Sequence, residues 1–250
     1  MHFPNELKND PKFAEKDYKA ALVNTFLKMD VLLTSPEGRA EIKKKQEELN
    51  EDGKTQSMMI GDEGEGEGPD MMGCTANVLL IKDNKVYLSN AGDSRSIAIM
   101  SNGKAEELSF DHKPEKEVET KRIHKAGGSV INGRVDGNLN LSRALGDLQY
   151  KSNKALDPKD QMICAYPDVV IKDITPDLKY IVMGCDGVYE TKSSQEIAGL
   201  VYNEATSNAT EKLTEVAAKL LDQIISPDYL QTNGAGCDNM TCIIIKLIHS

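Results

Sequence analysis

The first clear periodicity along the chain is helical. Five apolar residues lie three or four positions apart and share one face: Tyr18, Leu22, Phe26, Met29 and Leu33. This spacing predicts an amphipathic helix whose apolar face packs inward, and Pro36 lies just beyond its end. A polar stretch that continues to about Leu49 predicts a second helix.

Residues 51–70 break this pattern. They combine five glycines with seven carboxylates, a composition that cannot bury an apolar core. The segment has neither the glycine spacing and preceding strand of a dinucleotide site nor the ligand order of an EF-hand. We therefore predict a flexible, acidic, glycine-rich loop.

From Cys74 onward, short β-rich runs alternate with turn formers. Three pairs of such runs flank the dipeptides Asp83-Asn84, Asn102-Gly103 and Asn132-Gly133. These dipeptides favour tight turns, so each pair of runs predicts a β-hairpin.

One helix is predicted between the second and third hairpins, over Glu115–Ala126. It ends at Gly127-Gly128, a common stop for a helix. We expect Val118 and Ile123 to lie on its inward face.

The remaining elements mix strands and helices. Val169–Ile174 and Tyr180–Cys185 are apolar enough to predict buried strands, and Met240–Ile248 predicts a last strand. A capping box at Ser193-Ser194-Gln195-Glu196 begins one helix, and the apolar stripe of Thr210–Ile225 predicts another. Hairpins followed by packed helices favour an α+β sandwich over an alternating parallel-sheet fold. The length of 250 residues suits a single domain over residues 1–250.

Composition narrows the class of partner. The formal net charge of −10 repels nucleic acid and anionic membranes, so we expect neither as a partner. No secretory signal and no membrane span are predicted. The cysteines are odd in number and form no CxxC pair: Cys74, Cys164, Cys185, Cys237 and Cys242. We therefore expect a reduced intracellular protein, either cytoplasmic or nuclear.

Three aspartates lie where predicted strands end. Asp186 follows the strand Tyr180–Cys185, Asp238 precedes the last strand, and Asp111 follows another β-rich run. Carboxylates fixed at strand ends provide the oxygen ligands that Mg²⁺ or Mn²⁺ prefers over Zn²⁺. Asp-Gly and Asp-Asn are also ordinary turn formers, so spacing alone leaves both interpretations open.

Other catalytic chemistries find little support. His112, beside Asp111, has the residue type of a general acid, but its position before Lys113-Pro114 is more typical of a loop anchor. No GxSxG nucleophile elbow is present. Cys185 and Cys237 have acidic neighbours and no basic phosphate-binding loop, which argues against a cysteine nucleophile.

The order of short motifs resembles that of one enzyme family, the type 2C metal-dependent Ser/Thr protein phosphatases. Seven segments between residues 73 and 242 carry this resemblance: Gly73-Cys74-Thr75-Ala76, Asn90-Ala91-Gly92-Asp93-Ser94-Arg95, Phe110-Asp111-His112-Lys113-Pro114, Ala126-Gly127-Gly128, Leu141-Ser142-Arg143-Ala144-Leu145-Gly146-Asp147, Cys185-Asp186-Gly187-Val188 and Cys237-Asp238-Asn239-Met240-Thr241. Seven matches in one order are far more specific than any one of them.

The resemblance implies a pair of antiparallel sheets flanked by helices, with two Mg²⁺ or Mn²⁺ ions at one end. These ions activate a water that attacks phosphoserine or phosphothreonine directly. Asp186 and Asp238 match family metal ligands, and Asp111 matches the aspartate linked to a weaker third ion. Arg143 matches the segment that leads into the flap beside the active site. We expect a monomer that acts on phosphoprotein substrates.

The family's opening segment has no counterpart in this sequence. That segment supplies an Arg for the substrate phosphate, an early acidic pair and an Asp-Gly-His-Gly-Gly motif with a bridging ligand and a candidate acid. We therefore expect a chain truncated at its N-terminus, and its catalytic residues stay unassigned. The alternative function is a non-catalytic phosphatase-like binding protein or an inactive fragment.

Overall fold

A computed structural model describes residues 2–51, 69–207 and 212–249. Within these ranges the helices are α1 (His2–Asn9), α2 (Pro11–Ala14), α3 (Tyr18–Thr34), α4 (Pro36–Glu51), α5 (Glu117–Lys125), α6 (Asp186–Tyr189), α7 (Ser194–Ser207), α8 (Leu213–Ile224) and α9 (Tyr229–Thr232). The strands are β1 (Gly73–Cys74), β2 (Ala76–Lys82), β3 (Lys85–Ala91), β4 (Arg95–Met100), β5 (Ala105–Glu107), β6 (Val130–Ile131), β7 (Arg134–Val135), β8 (Leu145–Gly146), β9 (Asp168–Asp173), β10 (Leu178–Gly184) and β11 (Cys242–Lys246). Among these residues, no helix is both long and apolar enough to cross a membrane.

The chain folds as two compact units. The first contains Met1–Ala76 and His112–Pro167, and the second contains Asn77–Asp111 and Asp168–Ser250. The single phosphatase-like domain over residues 1–250 stays a prediction. Of the loop predicted at 51–70, Glu51 ends α4 and Pro69–Met71 form a 3-10 turn, while residues 52–68 lie outside the described ranges.

In the first unit, α3 confirms the predicted amphipathic helix. Asp17 caps its N-terminus, because the Asp17 Oδ1 accepts a hydrogen bond from the Ala20 backbone N–H at 3.1 Å. Leu22 and Phe26 are fully buried, and the ring of Phe3 on α1 meets that of Phe26 edge-on with centroids 5.2 Å apart. The predicted second helix is α4, which ends at Glu51, two residues beyond the predicted end.

The helix α5 has a different inward face from the one predicted. Ile123 is buried with Val135, Ala144 and Ile163, but Val118 is 72% exposed. Val118 and Ile123 are five positions apart, which rotates one side chain about 140° from the other around the helix axis, so the two cannot share a face. Glu119, four positions before Ile123, occupies the buried position instead. The prediction for Val118 is therefore wrong.

The second unit holds two antiparallel sheets, which confirms the α+β sandwich. The strand order is β2-β3-β9 in one sheet and β11-β10-β4-β5 in the other. Val86 and Leu88 of the first sheet pack with Ala98 and Ile181 of the second. On its opposite face, the four-stranded sheet is covered by α7 and α8 through buried aliphatic side chains, among them Ile97, Ile99, Val182, Ile197, Val216 and Leu220.

Local turn and cap chemistry is confirmed at the predicted positions. Asp83 and Asn84 have φ values of 50° and 57°, which suit the tight turn between β2 and β3. The hairpins β4-β5 and β6-β7 are also present. Ser193 and Glu196 form the capping box of α7, with the Glu196 Oε2 accepting from the Ser193 N–H at 2.8 Å.

Asp147 is a buried carboxylate in the first unit. It has a left-handed backbone with φ 50° and is 7% exposed, and its side chain makes no capping hydrogen bond to the 3-10 turn Leu148–Lys151. A Cβ placed on Gly73 would lie 2.1 Å from the Asp147 Oδ2, so only glycine fits beside it. Burial raises the pKa of Asp147; the nearby Lys151 lowers it less, and Asp30 adds to the rise. The folded protein therefore disfavours the charged form of this side chain.

We expect Asp147→Asn to raise the melting temperature at pH 7. Asparagine keeps the shape, tolerates a left-handed backbone and removes the buried charge, which is worth roughly 1 kcal/mol or about 2–4 °C in a chain of this size. Because the pKa of Asp147 is raised in the folded protein, the destabilisation by its charged form grows as the pH increases above the ordinary pKa of an aspartate. Melts at pH 7 and at acidic pH should therefore show a gain that shrinks in acid, and a lower melting temperature at pH 7 would contradict this prediction.

Candidate functional site

Asp186 follows β10, an interior strand of the four-stranded sheet in the second unit. Strand β10 lies between β4 and β11, and its register places Gly184 opposite both Arg95 and Cys242. The chain then turns at Cys185 into the one-turn helix α6, which begins with Asp186. Gly187, Val188 and Tyr189 are buried whereas Asp186 is exposed. The core therefore fixes the backbone while the carboxylate faces solvent.

Asp238 lies directly beside this turn. The Cys185 N–H donates to the Thr241 carbonyl at 3.2 Å, and the Cys185 Sγ accepts from the Thr241 N–H at 3.2 Å. A Cβ added to Gly187 would lie 2.5 Å from the Asn239 carbonyl oxygen and 3.4 Å from the Asp238 Cβ. Glycine at 187 thus permits the close approach of these two backbone segments. The structure therefore places Asp186 and Asp238 on two backbone segments that touch, and their assignment as metal ligands stays a prediction.

These two carboxylates fit part of a site for a hard divalent cation. Both are exposed, and each Oδ1 accepts from the next backbone N–H, Gly187 at 2.9 Å and Asn239 at 2.7 Å. Oxygen donors on rigid strand ends suit Mg²⁺ or Mn²⁺. Within the described ranges, no group of three His, Cys, Asp or Glu side chains forms a ligand set. The two carboxylates are of the ligand type that such a cation prefers, and their role as its ligands stays a prediction.

Asp111 has a dedicated cationic partner. The Arg95 Nε donates to its Oδ1 at 3.0 Å, and the Arg95 Nη2 donates to its Oδ2 at 2.8 Å. The Asp111 side chain is 17% exposed and that of Arg95 is 26% exposed. A planar, two-pronged contact of this kind fixes the carboxylate in orientation as well as in charge. The assignment of Asp111 to a third ion stays a prediction.

Arg143 occupies a buried ion pair in the first unit. Its Nη2 donates to the Glu119 Oε1 at 2.6 Å and its Nη1 to the Tyr166 carbonyl at 3.0 Å, and its side chain is 9% exposed. Arg122 binds the same carboxylate and also donates from its Nε to the Gln161 carbonyl. This geometry gives Arg143 a structural role. Its predicted part in receiving substrate gains no support here and stays a prediction.

The thiols give little support for covalent catalysis. Burial, reinforced by the neighbouring Cys185, raises the pKa of Cys242 to about 11. Burial also raises the pKa of Cys74 and that of Cys164. These three side chains remain protonated thiols near neutral pH and are therefore weak nucleophiles.

Two residues with central contacts were not singled out from the sequence. Arg95 closes the motif Asn90-Ala91-Gly92-Asp93-Ser94-Arg95 immediately before a β-rich run, and Glu119 stands four positions before Ile123 on α5. The helical spacing of Glu119 and Ile123 was the available signal for a buried carboxylate. No sequence signal identified Asp111 as the partner of Arg95.

Comparisons with known proteins agree on one family. Residues 1–229 match the protein phosphatase 2C family. The chain is 48% identical over 248 residues to the probable protein phosphatase 2C 3 of Paramecium tetraurelia. This match covers 98% of this chain and 76% of that protein. It is 45% identical over 193 residues to protein phosphatase 1G of Rattus norvegicus. This match covers 75% of this chain and 35% of that protein.

Solved structures show the same fold. A phosphatase from a pathogenic strain of Toxoplasma gondii superposes with a TM-score of 0.55 at 36% identity, over 66% of this chain and 50% of that one. The serine-threonine phosphatase 2C of Toxoplasma gondii superposes with a TM-score of 0.63 at 19% identity, over 96% of this chain and 76% of that one. At that identity the second likeness bears on the fold alone.

Proposed function

Because the chain belongs to the protein phosphatase 2C family, we propose that it hydrolyses phosphoserine and phosphothreonine in protein substrates by direct attack of water. Membership of the family makes it a protein phosphatase, and the family as a whole depends on Mg²⁺ or Mn²⁺. The roles of individual residues are part of this proposal.

The observation that carries the proposal is the position of Asp186 and Asp238 on two backbone segments that touch. Both are exposed at strand ends, and the Gly187 contact with Asn239 holds their backbones together. Two adjacent carboxylates repel each other unless a cation lies between or beside them.

Asp186 and Asp238 would hold the Mg²⁺ or Mn²⁺ ions, with Asp111 as the proposed ligand of a third. A bound cation of this kind supplies Lewis-acid polarisation of the phosphoryl group and a water of lowered pKa. The chain contributes rigidity, because β10 is buried on both faces and each carboxylate is oriented by the backbone N–H that follows it. The carboxylate charges also offset that of the cation.

The test is phosphate release from phosphoserine and phosphothreonine peptides by the 250-residue chain. We expect turnover that rises with Mn²⁺ or Mg²⁺ concentration and stops when EDTA removes the ions. Equilibrium binding of the same phosphopeptides is measured in parallel. Retention of the phosphopeptide without phosphate release at any Mn²⁺ concentration would overturn the catalytic proposal and favour the binding-protein alternative.

A further inference from the structure

We infer that Arg95 is a positioning residue of the proposed active site, which holds Asp111 and the helix that begins at Asp186 in one fixed arrangement. This inference rests on the proposed function. Arg95 is the first residue of β4 and lies opposite Gly184, the last residue of β10, in the antiparallel register. Its backbone is therefore at the same end of the sheet as Asp186.

The Arg95 guanidinium joins three separate segments of the second unit. Its Nε and Nη2 form the two-pronged contact with Asp111, which lies sixteen residues further along the chain. Its Nη1 donates to the Ser194 Oγ at the start of α7, at 3.3 Å. Its Cζ lies 5.0 Å from the ring centroid of Tyr189, the last residue of α6. One side chain thus links Asp111, α6 and α7.

The helix α6 needs such support because it is only four residues long. A single helical turn is unstable by itself, so packing must fix its orientation. Val188 and Tyr189 are buried in the core beside the four-stranded sheet and supply that packing. The Arg95 guanidinium lies over the Tyr189 ring. Asp186 is three residues before Tyr189 on the same helical turn, so an anchored ring also fixes the backbone that carries the Asp186 carboxylate.

The chemistry of the contact requires arginine in particular. A planar guanidinium can bind a carboxylate through two parallel hydrogen bonds while it lies on an aromatic ring. A lysine ammonium keeps the charge but can make only one of these contacts at a time. Arg95→Lys therefore removes the orientation of Asp111 and α6 while it preserves the net charge of the site.

Amide hydrogen exchange of the full chain without added metal tests the inference directly. We expect exchange at Gly187, Val188 and Tyr189 to accelerate in Arg95→Lys, because the ring loses its cover. Tyr189→Phe keeps the ring and removes only the long hydrogen bond from the Tyr189 hydroxyl to the Val182 carbonyl, 3.5 Å, so its exchange should stay close to that of the parent chain. Arg134→Lys, an exposed arginine on β7, is the matched control and should leave α6 unchanged. Unchanged α6 exchange in Arg95→Lys would overturn the inference.

Metal titration and turnover provide the second readout. We expect Arg95→Lys to weaken Mn²⁺ binding by calorimetry, or to lower kcat, by roughly 10- to 100-fold. The KM for the phosphopeptide should change much less, whereas a general loss of fold would lower the melting temperature and all parameters together. If Arg95→Lys fails to fold, Tyr189→Leu removes the ring alone, and parental α6 exchange in that variant overturns the inference. If the parent chain shows no turnover while α6 exchange still accelerates in Arg95→Lys, the proposed function fails and the positioning role of Arg95 stands.

Discussion

Glu119→Gln lowers the unfolding free energy of the first unit by about 3–5 kcal/mol, the usual cost of breaking a buried ion pair from one side. The Glu119 side chain is 3% exposed and faces two arginines, of which Arg143 lies 2.6 Å from its Oε1. Glutamine fills the same volume but carries no charge. The guanidinium groups of Arg122 and Arg143 then stay buried after the carboxylate charge that both contact has been removed, and this loss is measured as a shift in the urea midpoint at pH 7.

The same carboxylate makes stability depend on pH. Burial by itself would raise the pKa of Glu119, but the Arg143 hydrogen bond, the charges of Arg122 and Arg143 and the Ser142 hydroxyl together lower it from 4.5 to about 2. A lowered folded-state pKa means that this contribution is present above the unfolded value, near 4.5, and is lost as the pH falls toward 2. The difference corresponds to about 3 kcal/mol of unfolding free energy. In Glu119→Gln, the unfolding free energy should therefore fall much less as the pH is lowered through this range.

Glu117→Gln is the matched control for this change. Glu117 lies two positions earlier on α5, is exposed and pairs with the exposed Lys121. Surface pairs of this kind contribute little, so the urea midpoint should stay that of the parent chain. A Glu119→Gln midpoint equal to that of Glu117→Gln would show that the buried network does not stabilise the unit.

Local signals in the sequence were sufficient for the elements whose geometry is set by neighbouring residues. The hairpin turn at Asp83-Asn84 follows from residues that accept positive φ, and the capping box at Ser193 follows from a reciprocal hydrogen bond across three positions. The amphipathic stripe of α3 likewise needed only its own spacing. In each case, the physical cause lies within a few residues of the effect.

Long-range contacts explain what the sequence did not reveal. Glu119 and Arg143 are separated by 24 positions, and Arg95 and Ser194 by 99. The spacing of Glu119 and Ile123 indicates that they share a face of α5, but the sequence does not show that Arg122 and Arg143 converge on the Glu119 carboxylate. Val118 was placed on the inward face with Ile123 because it is apolar, and in the structure it is exposed.

The pair Asp186 and Asp238 lies between these two cases. Each position was predictable from the end of a strand, and the motif order linked both to one family. Their juxtaposition depends on the antiparallel pairing of β10 with β11, in which Gly184 lies opposite Cys242. The sequence therefore indicated the residues, and the sheet register brings them together.

Asp186→Asn and Asp238→Asn each reduce phosphopeptide turnover by roughly 100-fold or more, which exceeds the usual effect of residues that only support a metal ligand. Asparagine keeps the Oδ1 that accepts from Gly187 or Asn239, so the backbone turn should survive. Each variant lacks one negative charge and one oxygen donor, and Mn²⁺ affinity measured by calorimetry should fall in parallel. Because both side chains are exposed, melting temperatures should stay within about 2 °C of the parent value. Asp222→Asn, an exposed aspartate on α8, controls for the loss of one surface charge and should keep full turnover. Parental turnover and Mn²⁺ affinity in either active-site variant would remove that aspartate from the metal site.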